Sequence, residues 1–412
     1  MSAALGNQAL AGVRVVDMTR VVAGPLAGQL LADLGADVIK VERRGEGDDV
    51  RRVGPPWLKD RDGRDSEEST YFQSVNRGKR SVTIDFTQAE GADLVRRLVE
   101  GADVLLENYR TGTLARYGLG YDDLAAINPR LVYCSITGFG MTGPYADRSG
   151  YDYLAQAMAG LMSVTGLADG QAGAGPTRVG VPIADICAGM NAAIGVLAAL
   201  NFRHQSGRGQ HLEVSLFDSQ LAAMLNTFTA WFNGGTALPR TGNDHPSAAP
   251  YGVYAVADGH ILIATFNDRE FARLAEALGH PEWIDDPRFA RNGARVANRP
   301  VLAACITEVL SAHGKAYWMQ RLHAAKISAG PINTMADIEG DPQVAARGMV
   351  VTMDHPLAGQ VRLPGNPIKF SGSPVVYRRP PPLIGEHTAE VLGEMLALSG
   401  GAIDDLRARG VI

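Results

Sequence analysis

No histidine precedes His204 in this 412-residue chain. A Ser-His-Asp triad confined to the N-terminal half is thereby excluded, and no HExxH zinc motif occurs anywhere. No GxGxxG follows the first strand-like segment and no Walker A motif is present. A nicotinamide or nucleotide-phosphate role therefore lacks its usual glycine cradle. Cysteine is sparse. Cys134, Cys187 and Cys305 are odd in number, far apart and never in a CxxC pair. That usage predicts a reducing cytoplasm, without disulfides or structural zinc. Long basic runs are missing and the formal net charge is -5, so no nucleic-acid surface is indicated. The opening MSAALGNQALAG has neither a basic n-region nor an apolar h-region, and it predicts no secretory leader. The apolar run Ile194 to Leu200 is too short to span a bilayer, so no membrane partner is expected.

What is present is a large hydrophobic fraction, 46%, on a chain long enough for two domains. The first half alternates strand and helix patterns. Val13 to Asp17 reads as a short buried strand. Pro25 then opens a helix through Leu30, Leu31 and Leu34 to Gly35. Asp37 to Glu42 and Ser81 to Phe86 read as strands. Thr87 with Glu90 forms a capping-box pattern before the helix through Leu94 and Leu98. Asp103 to Glu107 and Leu131 to Ile136 read as further strands. Strands separated by helices predict a parallel, doubly wound α/β sheet with ligands at its carboxyl ends. The texture changes near Ser219. Asp258-Gly259 between Val253–Ala257 and His260–Ala264 is a hairpin signal. Helical patterns at Arg269 to Leu278 and Pro300 to Ala312 complete a smaller α+β region. Beyond Pro331 the chain reads as irregular and proline-rich, ending in a helix from Thr388 to Leu398.

One carboxylate stands out. Asp185 precedes the apolar helical stretch Ile186 to Leu200. A helix dipole and free backbone N–H groups there would favour its ionised form, as a nucleophile requires. An ordinary N-cap explains the same spacing, and spacing alone favours the cap. Cys187, two residues on, reads as a small buried side chain.

Eight segments in order turn the reading. They are DMTRVVAGPLAGQLLADLGADVIKVER (Asp17 to Arg43), NRGKRSVTIDF (Asn76 to Phe86), ENYRTGTLARYGLGYDDL (Glu107 to Leu124) and SITGFGMTGPYADRSGYD (Ser135 to Asp152). RVGVPIADICAGMNAAIGVLAAL (Arg178 to Leu200), SGRGQHLEVSLFDS (Ser206 to Ser219), GPINTMADIEGDPQVAARGMV (Gly330 to Val350) and PPPLIGEHT (Pro380 to Thr388) follow. Together they resemble the class III CoA-transferases, the formyl-CoA transferase or CaiB/BaiF family, over nearly the whole chain. The resemblance implies that Asp185 attacks an acyl-CoA thioester and passes CoA to a second acid through a mixed anhydride and an aspartyl-CoA thioester. An anhydride conserves the energy of the thioester, which an ester to serine would lose.

The resemblance also implies CoA contacts. The loop Thr19 to Gly24 resembles one that meets the pantetheine and adenine region, with Val22 and Ala23 as the best matches, and Arg43 matches a nucleotide contact. Lys79 and Arg116 match basic residues near the phosphates. Asn108, Tyr109 and Arg110 match a further nucleotide contact, and Thr137, Gly138 and Phe139 lie where the pantetheine passes. Thr137 departs from the lysine of some members, and spacing alone reads Arg43, Lys79 and Arg116 as solvated charges. Acyl-CoA and a small carboxylic acid are the implied substrates, with no metal or prosthetic group.

The family fold implies a Rossmann-like large domain made from both chain ends, an inserted small domain and an interlocked homodimer. The boundaries read as 1–218, 219–330 and 331–412. An α-methylacyl-CoA racemase on the same fold is the rival, but such enzymes carry histidine where Tyr151 stands. A non-catalytic CoA-binding protein is the other alternative. The pattern most resembles members acting on short dicarboxylates, with succinyl-CoA as donor. Arg178 and Arg240 are candidates for a distal carboxylate. Thr241 to Pro246 matches the family's glycine-rich lid only weakly, having one glycine.

Overall fold

The computed structural model describes residues 8–412; residues 1–7, the start of the segment read as lacking a leader, lie outside the described residues. The chain divides into two compact units. One comprises Met1–Ala159, Gly180–Leu225 and Ala345–Ile412, the other Gly160–Val179 and Asn226–Val344. The sequence boundaries thus move: residues 160–179 join the second unit, and the return to the first comes at Ala345 instead of 331.

The first unit is built on six strands: β1 (Arg14–Asp17), β2 (Asp37–Glu42), β3 (Lys79–Thr83), β4 (Val104–Glu107), β5 (Val132–Thr137) and β6 (Gln210–Ser215). They form one sheet in the order β3-β2-β1-β4-β5-β6, with every pairing parallel. This is the doubly wound order whose direction reverses between β1 and β4. Side chains alternate across the sheet. Val16, Ile39 and Leu105 enter one core, whereas Val15, Val38, Val104 and Leu106 enter the other. Helices cover both faces, which is why the strands read as continuous apolar runs. The first core takes helix α2 (Ala89–Glu100), and the second takes α1 (Ala23–Asp33) and α4 (Ile183–Ser206). Between β5 and α4 lies α3 (Asp152–Met158).

Helix α4 is longer than its most apolar run suggests. Its 24 residues would cross a membrane by length and composition alone. In the fold it buries a face of Ala184, Ala188, Gly189, Ala192, Ala193, Val196 and Ala199. Small residues let the backbones approach. A Cβ at Gly189 would stand 2.6 Å from the Ala23 carbonyl oxygen.

The C-terminal segment returns along β3. His387 N–H donates to the Ser81 carbonyl at 2.9 Å, and Asp85 N–H to the Val411 carbonyl at 2.8 Å. Val391, Leu392, Ile403 and Leu406 then fill the core beside α2. In the second unit an antiparallel sheet of Tyr251–Val256, Gly259–Ala264 and Ser328–Pro331 packs under Asp268–Leu278, Arg299–Leu310 and Lys315–Ala324.

Three local expectations change. The Thr87–Glu90 capping box does not form; Asp85 instead accepts from Thr87 N–H, Thr87 Oγ1 and Gln88 Nε2. The hairpin turn is Ala257-Asp258, because Val256 pairs with Gly259. The proline-rich region contains a regular hairpin, Val350–His355 with Gly359–Pro364.

Gly189→Ala is expected to cost about 1–3 kcal/mol of stability by forcing α4 off α1, read from urea unfolding. A loss too small to measure would show that the two helices separate freely.

Candidate active site

The loops after β1 and β4 meet where the strand order reverses. There they line a cavity of about 360 Å³ that includes Val22, Ala23, Asn108, Tyr109, Arg110, Thr137, Gly138, Tyr151, Asp152 and Asp185. A larger cavity of about 640 Å³ adjoins it, and the two share Arg20 and Tyr109.

Asp185 is not the N-cap of α4. Pro182 holds that position, and Asp185 lies in the first turn. The cap comes from another helix. Asp152, first residue of α3, accepts through Oδ1 from Ala184 N–H at 2.7 Å and Asp185 N–H at 3.2 Å. Its Oδ2 is held by Gln156 Nε2 at 2.5 Å. The Asp185 carboxyl is thus spared the capping role and faces the cavity. Ala23 N–H, at the start of α1, donates to it.

The charge state departs from expectation. Burial, and then the neighbouring Asp152 charge, push the Asp185 carboxyl up to about 7, against the hydrogen bond from Ala23. Helix N-termini do not by themselves keep it strongly ionised, because burial disfavours the charge and a second carboxylate occupies the N–H groups at the head of α4. The nearby Tyr71 hydroxyl is also raised, by burial first and then by Asp185 and Asp152. Tyr71 and Asp152 are residues to which the sequence reading gave no role. Asp152 stood within the quoted SITGFGMTGPYADRSGYD segment; nothing in the local pattern marked Tyr71.

A buried charge cluster fixes the β1 loop. Asp17, Lys40, Asp48 and Lys79 are all buried. Lys79 Nζ pairs with Asp17 at 2.8 Å and also donates to the Pro25 carbonyl and Asn76 Oδ1. Lys40 Nζ pairs with Asp48 at 2.9 Å and donates to the Thr19 carbonyl at 2.8 Å. Asp48 accepts from Val21 N–H at 3.0 Å. Asn108 clamps Arg20, accepting from its N–H and donating to its carbonyl. These bonds hold Val21 at φ 71°, a costly conformation for a β-branched residue. Burial lowers Lys79 to about 8, against the pull of Asp17.

Several expected contacts are therefore relocated. Lys79 does not reach a phosphate site: it is fully buried beneath the loop, neutralising Asp17. Arg116 is exposed on the short helix Leu114–Tyr117 and lines neither cavity. Phe139 is buried against Tyr145 and Phe217 and does not face the cavity. Arg43 lines the larger cavity, bridged to Glu46 and Asp49 at 2.8 Å each. Gly138 lies against Gly150 so closely that a Cβ would meet the Gly150 Cα at 2.4 Å. Arg178 and Arg240 fall in the second unit, where Arg240 pairs with Asp169. There the Thr241 to Pro246 stretch folds as a turn, with Asp244 N–H donating to the Thr241 carbonyl at 3.1 Å. No cluster able to hold a metal ion occurs among the described residues.

Comparison with known proteins agrees with this geometry. The family model described as CoA-transferase family III matches residues 10–388. A succinate–glutarate CoA-transferase of Agrobacterium fabrum is 45% identical over 94% of this chain and 95% of its own length. The human succinyl-CoA:glutarate CoA-transferase is 38% identical, over 98% of this chain and 90% of its own. A crystal structure of a CAIB/BAIF family protein from Brucella suis superposes with a TM-score of 0.84 at 44% identity, covering 94% of this chain and all of that one.

Two outcomes test the electrostatics. Lys79→Met should cost about 3–5 kcal/mol in denaturant unfolding, since Asp17 is left as an unpaired buried charge; near-neutral stability would contradict the pairing. Asp185 binds its proton more tightly folded than unfolded between the ordinary 3.8 and about 7. Stability should therefore fall as pH rises through that window. Asp185→Asn lacks this slope, so it should gain on the wild type between pH 5 and pH 8. The reverse sign would mean a depressed carboxyl.

Proposed function

The chain belongs to CoA-transferase family III, and on that basis we propose that it moves CoA from succinyl-CoA to glutarate through a covalent intermediate on Asp185. The transfer activity follows from the family. The pair of acids rests on the succinate–glutarate and succinyl-CoA:glutarate relatives. The observation that carries the covalent step is the freed carboxyl of Asp185, facing the cavity at the head of α4 while Asp152 caps the helix.

In this reading the Asp185 carboxylate attacks the succinyl thioester carbonyl. The C–S bond breaks, CoA thiolate leaves and a succinyl-aspartyl anhydride remains. Thiolate then attacks the aspartyl carbonyl, releasing succinate and leaving an aspartyl-CoA thioester. Glutarate attacks that thioester to give a glutaryl-aspartyl anhydride and thiolate. Thiolate finally takes the glutaryl group, and Asp185 is restored. Each step exchanges one acyl–oxygen or acyl–sulfur bond for another, so little free energy is lost on the way.

The pantetheine would pass Val22, Ala23, Thr137 and Gly138, with Asn108, Tyr109 and Arg110 beyond, toward the nucleotide near Arg43. A racemase needs two proton carriers at the α-carbon. Among the described residues no histidine lines the Asp185 cavity, and Tyr151 stands where racemases carry one. We also infer a cytoplasmic homodimer, interlocked as the family resemblance implies. Three free cysteines support the compartment. The apolar Met190, Ile194 and Phe202, exposed along α4, support a covering partner.

Incubation with succinyl-CoA should give a covalent adduct by intact mass, absent in Asp185→Asn, together with at least about a 10³-fold fall in transfer rate. Asp185→Asn with an unchanged rate would refute the mechanism. Failure of glutarate and other C4 or C5 dicarboxylates to accept CoA would refute the substrate assignment. The acid limb of kcat/KM should lie near pH 7, set by Asp185.

A further inference from the structure

Three neighbouring strands each place one polar side chain behind the loop that lines the Asp185 cavity. Glu107 ends β4, Ser135 stands opposite it on β5, and His211 belongs to β6. All three border a further cavity of about 300 Å³, which shares Tyr109, Arg110, Thr111 and Thr137 with the Asp185 cavity. The segment Tyr109-Arg110-Thr111 is therefore a wall with open volume on both sides. Packing fixes such a wall poorly, and directed bonds matter more. Asn108 anchors it at the front by clamping the Arg20 backbone. Glu107 anchors it from behind, where Oε2 accepts from Tyr109 N–H at 2.8 Å.

Glu107 and Ser135 are both buried. The Ser135 hydroxyl hydrogen-bonds the Glu107 carboxyl and lies 3.0 Å from His211 Nε2. Proton count gives the chain its direction. A carboxylate only accepts, and a hydroxyl has one proton. With Glu107 ionised, Ser135 donates to it and must accept from an Nε2–H on His211. The imidazole is held for that task. It stacks on Tyr121 with centroids 5.2 Å apart and meets Tyr133 edge-on at 5.2 Å. Burial pushes the Glu107 carboxyl up, against its bonds from Ser135 and Tyr109 N–H. Burial also pushes His211 down, against the nearby Glu213 and Asp122. A buried carboxylate that lost a donor would give up its charge more readily, and with it part of its hold on the Tyr109 N–H.

We propose that Glu107, Ser135 and His211 form a positioning relay for this wall: His211 and Ser135 hold Glu107 as an acceptor, and Glu107 holds the Tyr109 N–H so that Asn108, Tyr109 and Arg110 keep their places at the Asp185 cavity. None of the three lines the Asp185 cavity, so they are positioning residues. The relay itself requires nothing of the transfer chemistry. Only its effect on acyl-CoA use rests on the CoA-transferase reading. The sequence pattern gave none of the three a role, although Glu107 and Ser135 each open a segment that carries the family resemblance.

Hydrogen exchange read at single amides by mass spectrometry tests the relay. Ser135→Ala and His211→Leu should each speed exchange of the Tyr109 amide about three- to tenfold, with the β1 amides unchanged as the control for the fold. His211→Gln puts a side-chain N–H where Nε2 stood and should restore protection. Adding His211→Leu to Ser135→Ala should change nothing further, because both cut one chain. In transfer assays each single variant should raise KM for succinyl-CoA about three- to tenfold, with kcat nearly unchanged. A Tyr109 amide that keeps its wild-type rate in both single variants overturns the relay, and so does additive loss in the double variant. No rescue by His211→Gln makes His211 a packing residue and removes it from the chain. Faster exchange with an unmoved KM overturns the positioning role in catalysis. If His211→Leu fails to fold, Ser135→Ala reads the same bond. Wild type that shows the exchange pattern but transfers no CoA sinks the CoA-transferase reading and leaves the relay standing.

Discussion

The buried ion pair between Asp17 and Lys79 is the constraint from which the site is built. Asp17 ends β1, and Lys79 begins β3, two strands away across β2. Burial pushes the Asp17 carboxyl up, but Lys79 and Lys40 outweigh it and hold it below the usual range. A charge so placed is tolerable only with its partner present. Such a pair adds little net stability over an apolar alternative. What it supplies is a direction for backbone. Lys79 also holds the Pro25 carbonyl, and Asp17 takes Thr19 N–H and Oγ1. Lys40 and Asp48 then fix the Thr19 carbonyl and the strained Val21. The chain enters α1 along one path, with Ala23 N–H turned to Asp185 and Arg20 turned to the cavity seam.

A second constraint acts from the opposite side. Gly189 lies one helical turn after Asp185, on the same face of α4. Its missing Cβ lets α4 reach the start of α1. Asp185 therefore sits between two helix N-termini, its own and that of α1. Either would stabilise a carboxylate. Burial and then Asp152 oppose them, and the carboxyl ends at about 7. That balance suits the proposed nucleophilic role. A strongly stabilised carboxylate is a poor nucleophile and, once acylated, makes a very reactive anhydride. A carboxyl near neutrality is partly ionised yet more basic.

Five of the six strands were legible because they are buried and carry short apolar runs with turn residues between them; β6 was not read as a strand, its side chains being mostly half-exposed. The ends of those five match to within about three residues, the widest gap being Phe86 against Thr83. The hairpin at Val350 to Pro364 was hidden because proline dominates its surroundings, yet Pro364 closes the second strand and Pro356 lies in the turn. Asp185 was visible only through the family pattern. Its local spacing is that of a cap, and the true cap, Asp152, lies 33 residues earlier. Lys79 was misplaced for a related reason. A lysine at the start of a strand looks solvated, and nothing local reveals that Asp17 waits 62 positions away. Partners distant in sequence decide the charge chemistry of this site, and a periodic pattern does not record them.

The missing histidine now has a chemical reason. In the proposed transfer an anion attacks and an anion leaves at every step. Carboxylate displaces thiolate, and thiolate displaces carboxylate. No proton changes hands, so a general acid or base has no task. What such a site requires is a place for negative charge that moves among one aspartate, a thiolate and a free acid. Two helix N-termini meet at Asp185, and Arg20 and Arg110 line the same cavity. Fixed dipoles and cations of this kind stabilise charge wherever it develops, without being titrated themselves. The one titratable group that this proposed chemistry needs is Asp185. Burial first, and then the charge of Asp152, push its pKa up, and Asp152 Oδ1 is itself held by the backbone of the helix that carries Asp185.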